Sequence, residues 1–423
     1  MDLGWLLEEP IDWKYKGIAP QETPVPLGKV RRQGWNALED LVFPVMLLKQ
    51  SALEHNISLM AGYCRERGLD LAPHGKTTMC PQIFKRQLDA GAWGITAATP
   101  SQVHTFRAFG VSRILLANQL VEPPALRWVA SELSSDPSFD FYCLVDSKDG
   151  VSLMERALEQ VRPNRKIKVL VELGTPAGRT GSRSFEDAEG VATSVGNSRY
   201  LALAGVESYE GIITEGSMAA TITAVDDFLL RMRDLTLKLD HAGLFDGLEE
   251  VVITAGGSAF FDRVAEHLGE DRLHVPVRLV LRCGCYATHD SVMYKDISPL
   301  DGRGPQVDGL RPALEVWGRV LSHPEPKLAI AGFGKRDVSH DVDLPVPQVL
   351  RTRFGELVDV AGQIKVFALN DQHAYLRLDG RDVAVGDLIA CGISHPCTAF
   401  DKWRLIPVVD DDYGVVDVFL TFF

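Results

Sequence analysis

The chain has 423 residues, of which 46% are hydrophobic and 24% are charged, as is ordinary for a folded protein with more than one domain. Its formal net charge of −13 argues against nucleic-acid binding, for which a basic face is usual. No apolar run reaches the roughly 20 residues of a membrane helix, and the acidic N-terminal segment is unlike a secretory signal. Its seven scattered cysteines do not predict disulfides, so we expect a cytoplasmic protein.

Residues 1–40 are rich in proline and contain Trp5, Trp13 and Trp35. Proline limits regular structure, while aromatic side chains tend to pack on another surface. We therefore expect an N-terminal extension that packs on the β domain described below or on a partner chain.

Residues 41–282 alternate apolar runs with amphipathic segments, which predicts repeated strand–helix units. The predicted strands are 41–49, Leu69–Ala72, Trp93–Ala97, Arg113–Ala117, Asp140–Val145, Ile167–Glu172, Ala202–Glu207 and Val251–Thr254. The predicted helices include 51–67, Pro100–Phe109, Ser147–Val161, Phe185–Val195 and Met218–His241. Eight units in about 230 residues favour a (β/α)8 TIM-type barrel, and a doubly wound open sheet is the alternative.

Residues 283–423 contain short apolar runs separated by glycine and proline, with little helical periodicity. This pattern predicts a C-terminal antiparallel β domain. The predicted strands are Leu314–Leu321, Lys327–Ala331, Ile364–Leu369, His373–Leu378, Leu388–Cys391, Lys402–Val409 and Val415–Phe422.

Lys76 is the first candidate site residue, because it follows the predicted strand Leu69–Ala72 in the sequence PHGKT. Functional side chains of barrel enzymes lie at the C-terminal ends of the strands. Lys76 could hold a reactive amine over the site, or it could be a solvated loop lysine. His74 could similarly take part in catalysis or pack against the sheet.

Two later strand ends also carry polar side chains. Glu172 and Arg179 follow the sixth predicted strand, and Tyr209 and Glu210 follow the seventh. Their positions place all four at the predicted mouth of the barrel.

Gly256, Gly257 and Ser258 lie between the eighth predicted strand and a helix. The backbone N–H groups of such a turn can bind a phosphate, although a plain tight turn is the alternative. A lysine at one strand end and a phosphate site at another indicate pyridoxal phosphate, with Lys76 forming its Schiff base.

His395 and Cys397 stand two residues apart in the sequence SHPC. In an extended segment both side chains leave on the same face, and imidazole with thiolate suits Zn²⁺. Two ligands do not close a tetrahedral site, so a third is expected, for which His373 is the candidate. The alternative is a buried cysteine beside a loop histidine.

Two other motifs are interpreted as structural. Cys283 and Cys285 flank a glycine, and we interpret them as small residues at a strand end. The acidic segment His340–Pro345 is interpreted as a loop.

The sequences PHGKT, AGAWGITAATPSQV and SHPCTAFDKW together resemble the D-serine dehydratase and D-threonine aldolase family. Its members combine an alanine racemase-like barrel (fold type III) with a β domain, and the resemblance covers nearly all of the chain after about residue 40. It implies that Lys76 binds pyridoxal phosphate and acts as the base. The other implied roles are phosphate contact for Gly256, Gly257 and Ser258, contact near the cofactor ring for Arg179, Tyr209 and Tyr286, zinc binding for His395 and Cys397, and an active-site position for His373.

Cys397 bears on the reaction, because aldolases of this family usually have aspartate at the matching position. A cysteine there resembles the zinc-dependent dehydratases, whereas GVESYEG is closer to the aldolase version of its loop. The resemblance implies a dehydratase that converts a D-3-hydroxy amino acid to a 2-keto acid and ammonia. A D-threonine aldolase and a non-catalytic pyridoxal phosphate carrier are the alternatives, and a homodimer is expected.

Overall fold

The computed structural model describes residues 1–269, 273–304 and 308–423. Within these ranges, no helix is both long enough and apolar enough to cross a membrane. The chain divides into two units. The first contains Ala61–Lys76 and Gln87–Gly284, and the second contains Asp2–Met60, Thr77–Arg86 and Cys285–Phe423.

The helices and strands alternate through the first unit, and strands predominate in the second. The strands are β1 Pro10–Ile11, β2 Val25–Pro26, β3 Val45–Lys49, β4 Asp70–Leu71, β5 Ile95–Ala97, β6 Arg113–Gln119, β7 Asp140–Val145, β8 Ile167–Leu173, β9 Leu201–Ser208, β10 Val251–Ala255, β11 Val277–Leu281, β12 Leu314–Glu325, β13 Leu328–Ala331, β14 Val346–Arg351, β15 Leu357–Asp359, β16 Ile364–Leu369, β17 Ala374–Leu378, β18 Leu388–Gly392, β19 Leu405–Val409 and β20 Val415–Leu420. The α-helices are α1 Ala37–Asp40, α2 Gln50–Glu66, α3 Pro81–Asp89, α4 Pro100–Ala108, α5 Pro123–Ser135, α6 Lys148–Glu159, α7 Phe185–Gly196, α8 Met218–His241, α9 Phe261–Leu268, α10 Met293–Ile297 and α11 Cys397–Phe400. Short 3-10 helices lie at Gly4–Glu8, Leu27–Gln33, Gly75–Thr77 and Cys285–Ala287.

The first unit is a parallel barrel with strand order β4-β11-β10-β9-β8-β7-β6-β5. A parallel bridge between His74 and Thr96 joins the two ends of this order, and the backbone N–H of Thr96 donates to the Pro73 carbonyl at 2.9 Å. The predicted (β/α)8 barrel is therefore confirmed, and the open doubly wound sheet is wrong.

Side chains from every strand of the barrel, or from its flank, fill the interior. Trp93 and Tyr142 pack with ring centroids 5.3 Å apart. The buried cluster consists of Ala72, Trp93, Leu115, Tyr142, Leu144, Leu170, Ala204, Val252 and Val280. Because this core is solid, polar chemistry is confined to the strand ends.

The prediction misassigned one barrel strand and missed another. β3, predicted as the first barrel strand, pairs antiparallel with β12 and parallel with β19 in the second unit. The eighth barrel strand is instead β11, which pairs with β10 and β4. A strand that is buried along nearly its whole length, as β3 is, has the same apolar pattern in either kind of sheet. The sequence suggested that the barrel begins at residue 41. Because β3 belongs to the second unit, it does not.

The second unit is built on an antiparallel sheet with the path β15-β14-β18-β12-β13-β17-β16, to which β3, β19 and β20 are added. This confirms the predicted antiparallel β domain. The prediction missed β14 and β15, which lie at one end of the path.

The N-terminal segment belongs to the second unit, where Lys16 holds it. The Lys16 ammonium lies 2.9 Å from the Asp337 carboxylate and 3.5 Å from the centroid of the Trp403 ring. By contrast, Trp5 and Trp13 are 55% and 71% exposed. Lys16 is thus one attachment point of the segment, in addition to buried apolar side chains such as Leu6 and Ile11.

Replacing Lys16 by methionine is expected to lower the free energy of unfolding by about 1–2 kcal/mol, because the fully buried Asp337 carboxylate then loses its cation. Chemical denaturation followed by circular dichroism measures this change. Lys29→Met is the matched control, since Lys29 is an exposed lysine of the same N-terminal segment. Equal losses in the two variants would contradict the assignment.

Candidate active-site residues

Lys76 lies in the 3-10 turn Gly75–Thr77, directly after the strand end that closes the barrel. A Cβ atom at Gly75 would lie 2.6 Å from the Phe106 ring, so only glycine lets the backbone pass so close to the barrel wall. The Lys76 side chain is exposed, and its ammonium has no hydrogen bond or ion pair with any residue in the described ranges. This amine is available to a ligand.

His74 directly precedes this turn and is half-buried. Burial holds the pKa of His74 well below its usual range, and the nearby Lys76 ammonium acts in the same direction. Its Nδ1 atom is buried without a hydrogen-bond partner in the described structure. His74 is therefore a neutral imidazole at the barrel closure.

Three charged side chains lie at neighbouring strand ends of the barrel. Arg282, after β11, forms an ion pair with Glu207 and donates to the Ser208 carbonyl at 2.7 Å. Burial raises the pKa of Glu207, and the Arg282 guanidinium opposes this rise. Burial also raises the pKa of Glu172, which accepts a hydrogen bond from Thr180 at 2.7 Å. The sequence analysis missed Glu207 and Arg282, although a charge ending an apolar strand was a usable signal.

The glycine turn, Gly256–Ser258, follows β10 as predicted, but a carboxylate already occupies part of it. Glu210 is fully buried and accepts the backbone N–H groups of Gly256 and Gly257 at 3.1 and 2.7 Å. These two N–H groups are the predicted phosphate donors, so the structure gives them another partner. Ser258 keeps its hydroxyl and N–H free among the described residues.

Arg179 and Tyr209 meet at the barrel mouth, as the sequence suggested. The guanidinium carbon of Arg179 lies 4.5 Å from the centroid of the Tyr209 ring. Arg183 shapes the same loop by donating to the Thr180 and Gly178 carbonyls at 2.7 and 3.1 Å. Arg179 is exposed, so its charge can reach a ligand.

In the second unit, the side chains of His395 and Cys397 are neighbours, and the Cys397 side chain raises the pKa of His395 to about 9. The sequence analysis expected this segment to be extended, but the structure shows that it is not. His395 has φ +50°, and Cys397 begins α11. A tight turn therefore brings the two side chains together. We call residues 394–398 the His–Cys turn.

The His–Cys turn is held by partners that are distant in the sequence. Asp341 Oδ2 lies 2.6 Å from His395 Nδ1, and Asp290 Oδ2 accepts the His395 backbone N–H at 3.1 Å. The Cys397 sulfur lies 3.6 Å from the Cys285 sulfur, and this contact holds the pKa of Cys397 well below its usual range. Cys285 and Asp341 come from the two motifs interpreted as a strand end and a plain loop, so both interpretations were incomplete.

His373 and Tyr286 complete the set of predicted residues. His373 is exposed on the β16–β17 hairpin, where its carbonyl accepts the Asn370 N–H at 2.9 Å. Across the described ranges, no three His, Cys, Asp or Glu side chains form a group that could hold a metal, so His373 does not join the His–Cys turn as a third ligand. Tyr286 is buried in the Cys285–Ala287 turn.

The donor chemistry of the His–Cys turn fits zinc. Imidazole nitrogen and thiolate sulfur are preferred zinc ligands, and a ligating histidine normally donates its other N–H to a carboxylate, as the position of Asp341 allows. With two protein ligands, several coordination positions would remain for water or substrate.

Comparison with known proteins shows which proteins this chain is similar to. A family model described as "Putative serine dehydratase domain" matches residues 313–409. The chain is 26% identical over 380 residues to the D-threonine aldolase of Arthrobacter sp, which aligns 88% of this chain and 90% of that protein. The chain is therefore similar to members of the D-serine dehydratase and D-threonine aldolase family, in agreement with the resemblance noted in its sequence.

Two solved structures share the fold. The D-threonine aldolase of Filomicrobium marinum superposes with a TM-score of 0.72 and 23% identity, over 90% of this chain and 95% of that chain. A cysteine-to-alanine variant of D-threo-3-hydroxyaspartate dehydratase, in a metal-free form, superposes with a TM-score of 0.70 and 20% identity. The superposition covers 90% of this chain and 98% of that chain. The fold of a barrel with a β domain is thus shared over most of this chain.

Glu210→Ala is expected to lower the free energy of unfolding by about 2–4 kcal/mol, because it leaves two backbone N–H groups buried without an acceptor. Urea denaturation measures the loss. Glu215→Ala, at an exposed position on the same loop, is the control and should unfold like the wild type. A Glu210→Ala protein with wild-type stability would show that the carboxylate does not hold the glycine turn.

Proposed function

We propose that this protein is a pyridoxal phosphate- and zinc-dependent lyase that dehydrates a D-3-hydroxy amino acid, such as D-serine or D-threonine. The products would be a 2-keto acid and ammonia. The observation that carries the proposal is that one tight turn brings the side chains of His395 and Cys397 together, with Asp341 Oδ2 2.6 Å from Nδ1 of the imidazole. A nitrogen and a sulfur donor so arranged suit a zinc ion with open coordination positions.

The barrel residues fit the cofactor in most respects. Lys76 offers an amine without a partner in the described structure. Arg179 offers an exposed positive charge, and Tyr209 offers an aromatic ring beside it. The phosphate would be held by the Ser258 hydroxyl and N–H, because Glu210 uses the N–H groups of Gly256 and Gly257. When bound, pyridoxal phosphate supplies an electron sink for the carbanion at the α-carbon.

In this proposal Lys76 acts twice, as the anchor of the cofactor and as the general base. Its neutral amine would remove the proton from the α-carbon of the substrate. His74 stays neutral beside it and so adds no second positive charge to the site.

His395 and Cys397 would decide which bond breaks. Hydroxide is a poor leaving group, and a zinc ion held by these two side chains would supply a Lewis acid for the substrate hydroxyl. The protein's own part is to hold the imidazole and the thiolate on one side of a tight turn, which leaves the other coordination positions open.

The second candidate function is a D-threonine aldolase, which the similarity to two D-threonine aldolases favours. An aldolase would use the same residues differently. A base would take the proton of the β-hydroxyl, and the Cα–Cβ bond would break to give glycine and an aldehyde.

The two functions differ in their products. We expect the purified protein, supplied with pyridoxal phosphate and zinc, to convert D-threonine to 2-oxobutyrate and ammonia, which chromatography and an ammonia assay would detect. The L-isomer is the control. Glycine and acetaldehyde in equal amounts would instead establish the aldolase and contradict the dehydratase.

Lys76→Ala is expected to remove the visible absorbance of the bound cofactor and to lower turnover by at least about 10³-fold, because anchor and base are lost together. Absorbance spectra and product assays measure both effects. Lys148→Ala is the matched control, since Lys148 is exposed and follows another strand of the same barrel. If the Lys76→Ala protein kept both its absorbance and its activity, the central residue of the proposal would be wrong.

A further inference from the structure

We propose that Asp341 is the positioning residue of the His–Cys turn and that its carboxylate sets the affinity of His395 and Cys397 for zinc. This inference rests on the function proposed above. It gives a role to the acidic segment His340–Pro345, which the sequence had indicated only as a loop.

The first effect of Asp341 is to fix which nitrogen of the His395 imidazole carries a proton. Asp341 Oδ2 lies 2.6 Å from His395 Nδ1. An ionised carboxylate can only accept a hydrogen bond, so Nδ1 must carry the proton. Because Asp341 holds the proton on Nδ1, Nε2 is the ring atom that can give up its proton and bind a metal.

The second step is the fixing of the turn itself. The other oxygen of Asp341 accepts the Thr398 hydroxyl at 2.7 Å, and Thr398 directly follows Cys397 in the chain. One carboxylate therefore contacts residues on both sides of Cys397. Because His395 has the left-handed φ of +50°, which is uncommon outside glycine, the turn needs such support from outside.

Two other aspartates contact the turn without reaching the imidazole. Asp290 accepts the backbone N–H of His395 at 3.1 Å and those of Val292 and Tyr294 at 3.0 and 2.9 Å. Asp343 accepts the Ser394 hydroxyl at 3.1 Å. Both support the backbone, whereas Asp341 also orients a proposed ligand atom. Asp343 is thus a matched control, from the same loop and with the same chemistry.

The expected effect is on metal affinity. Removing the partner of a metal-ligating histidine typically weakens metal binding 10- to 100-fold. We expect Asp341→Ala to weaken zinc binding by about this factor. Asp341→Asn keeps an acceptor oxygen but loses the charge, so its zinc affinity should lie between those of Asp341→Ala and the wild type. Asp343→Asn should bind zinc within about threefold of the wild type.

The experiment is a zinc titration of the full-length protein and its variants against a chromogenic chelator. Cobalt substitution gives a second readout, because the thiolate-to-cobalt absorption reports whether Cys397 still binds and the visible bands report the geometry. Neither measurement depends on turnover. Circular dichroism and a denaturation curve establish that each variant is folded, and Asp341→Asn, which has nearly the same shape, guards against misfolding of Asp341→Ala.

The outcomes separate this inference from the proposed function. If His395→Asn abolishes zinc binding while Asp341→Ala and Asp341→Asn bind zinc like the wild type, the role of Asp341 is overturned and the zinc centre stands. If Asp343→Asn weakens binding as much as Asp341→Ala, the loop acts only as a support, and the inference is again overturned. If neither His395→Asn nor Cys397→Ser alters zinc binding, the zinc centre and the inference both fail.

Discussion

Thr96 donates twice to the segment that precedes Lys76, with its backbone N–H to the Pro73 carbonyl at 2.9 Å and its hydroxyl to the Ala72 carbonyl at 2.6 Å. These bonds close the barrel, because they link the two ends of its strand order, β4 and β5. The same carbonyls belong to the strand end that leads into the lysine turn. The bonds that close the sheet therefore also position the lysine. The backbone that carries its amine is held by the barrel rather than by a surface loop.

Much of the fold could be predicted, because strands β6 to β10 alternate with amphipathic helices at the spacing of a barrel. Within the barrel, the errors concern β3 and β11. Each is a short apolar strand, and such a strand carries no mark of the sheet to which it belongs. Only pairing decides this, and the partners of β3 in β12 and β19 are far away in the sequence.

The sequence singled out candidate residues where one short stretch carries the chemistry, as with Lys76 and with the pair His395 and Cys397, and their roles stay predictions. It did not show the contacts between residues that are distant in the sequence. Nothing in the sequence around Asp341 shows that its carboxylate reaches His395, and nothing around Glu210 shows that it binds the glycine turn. Chemistry alone suggested His373 as a ligand, but the hairpin on which it stands exposes it instead.

The pairing of β3 has a consequence for the order in which the chain can fold. Leu48 of β3 lies opposite Leu314 of β12, and Val408 of β19 also pairs with Leu48. During synthesis from the N-terminus, β3 emerges long before either neighbour, whereas the barrel strands become available in between. At about 5–20 residues per second, this apolar strand waits many seconds without its sheet, as a binding site for a chaperone or as a starting point for aggregation.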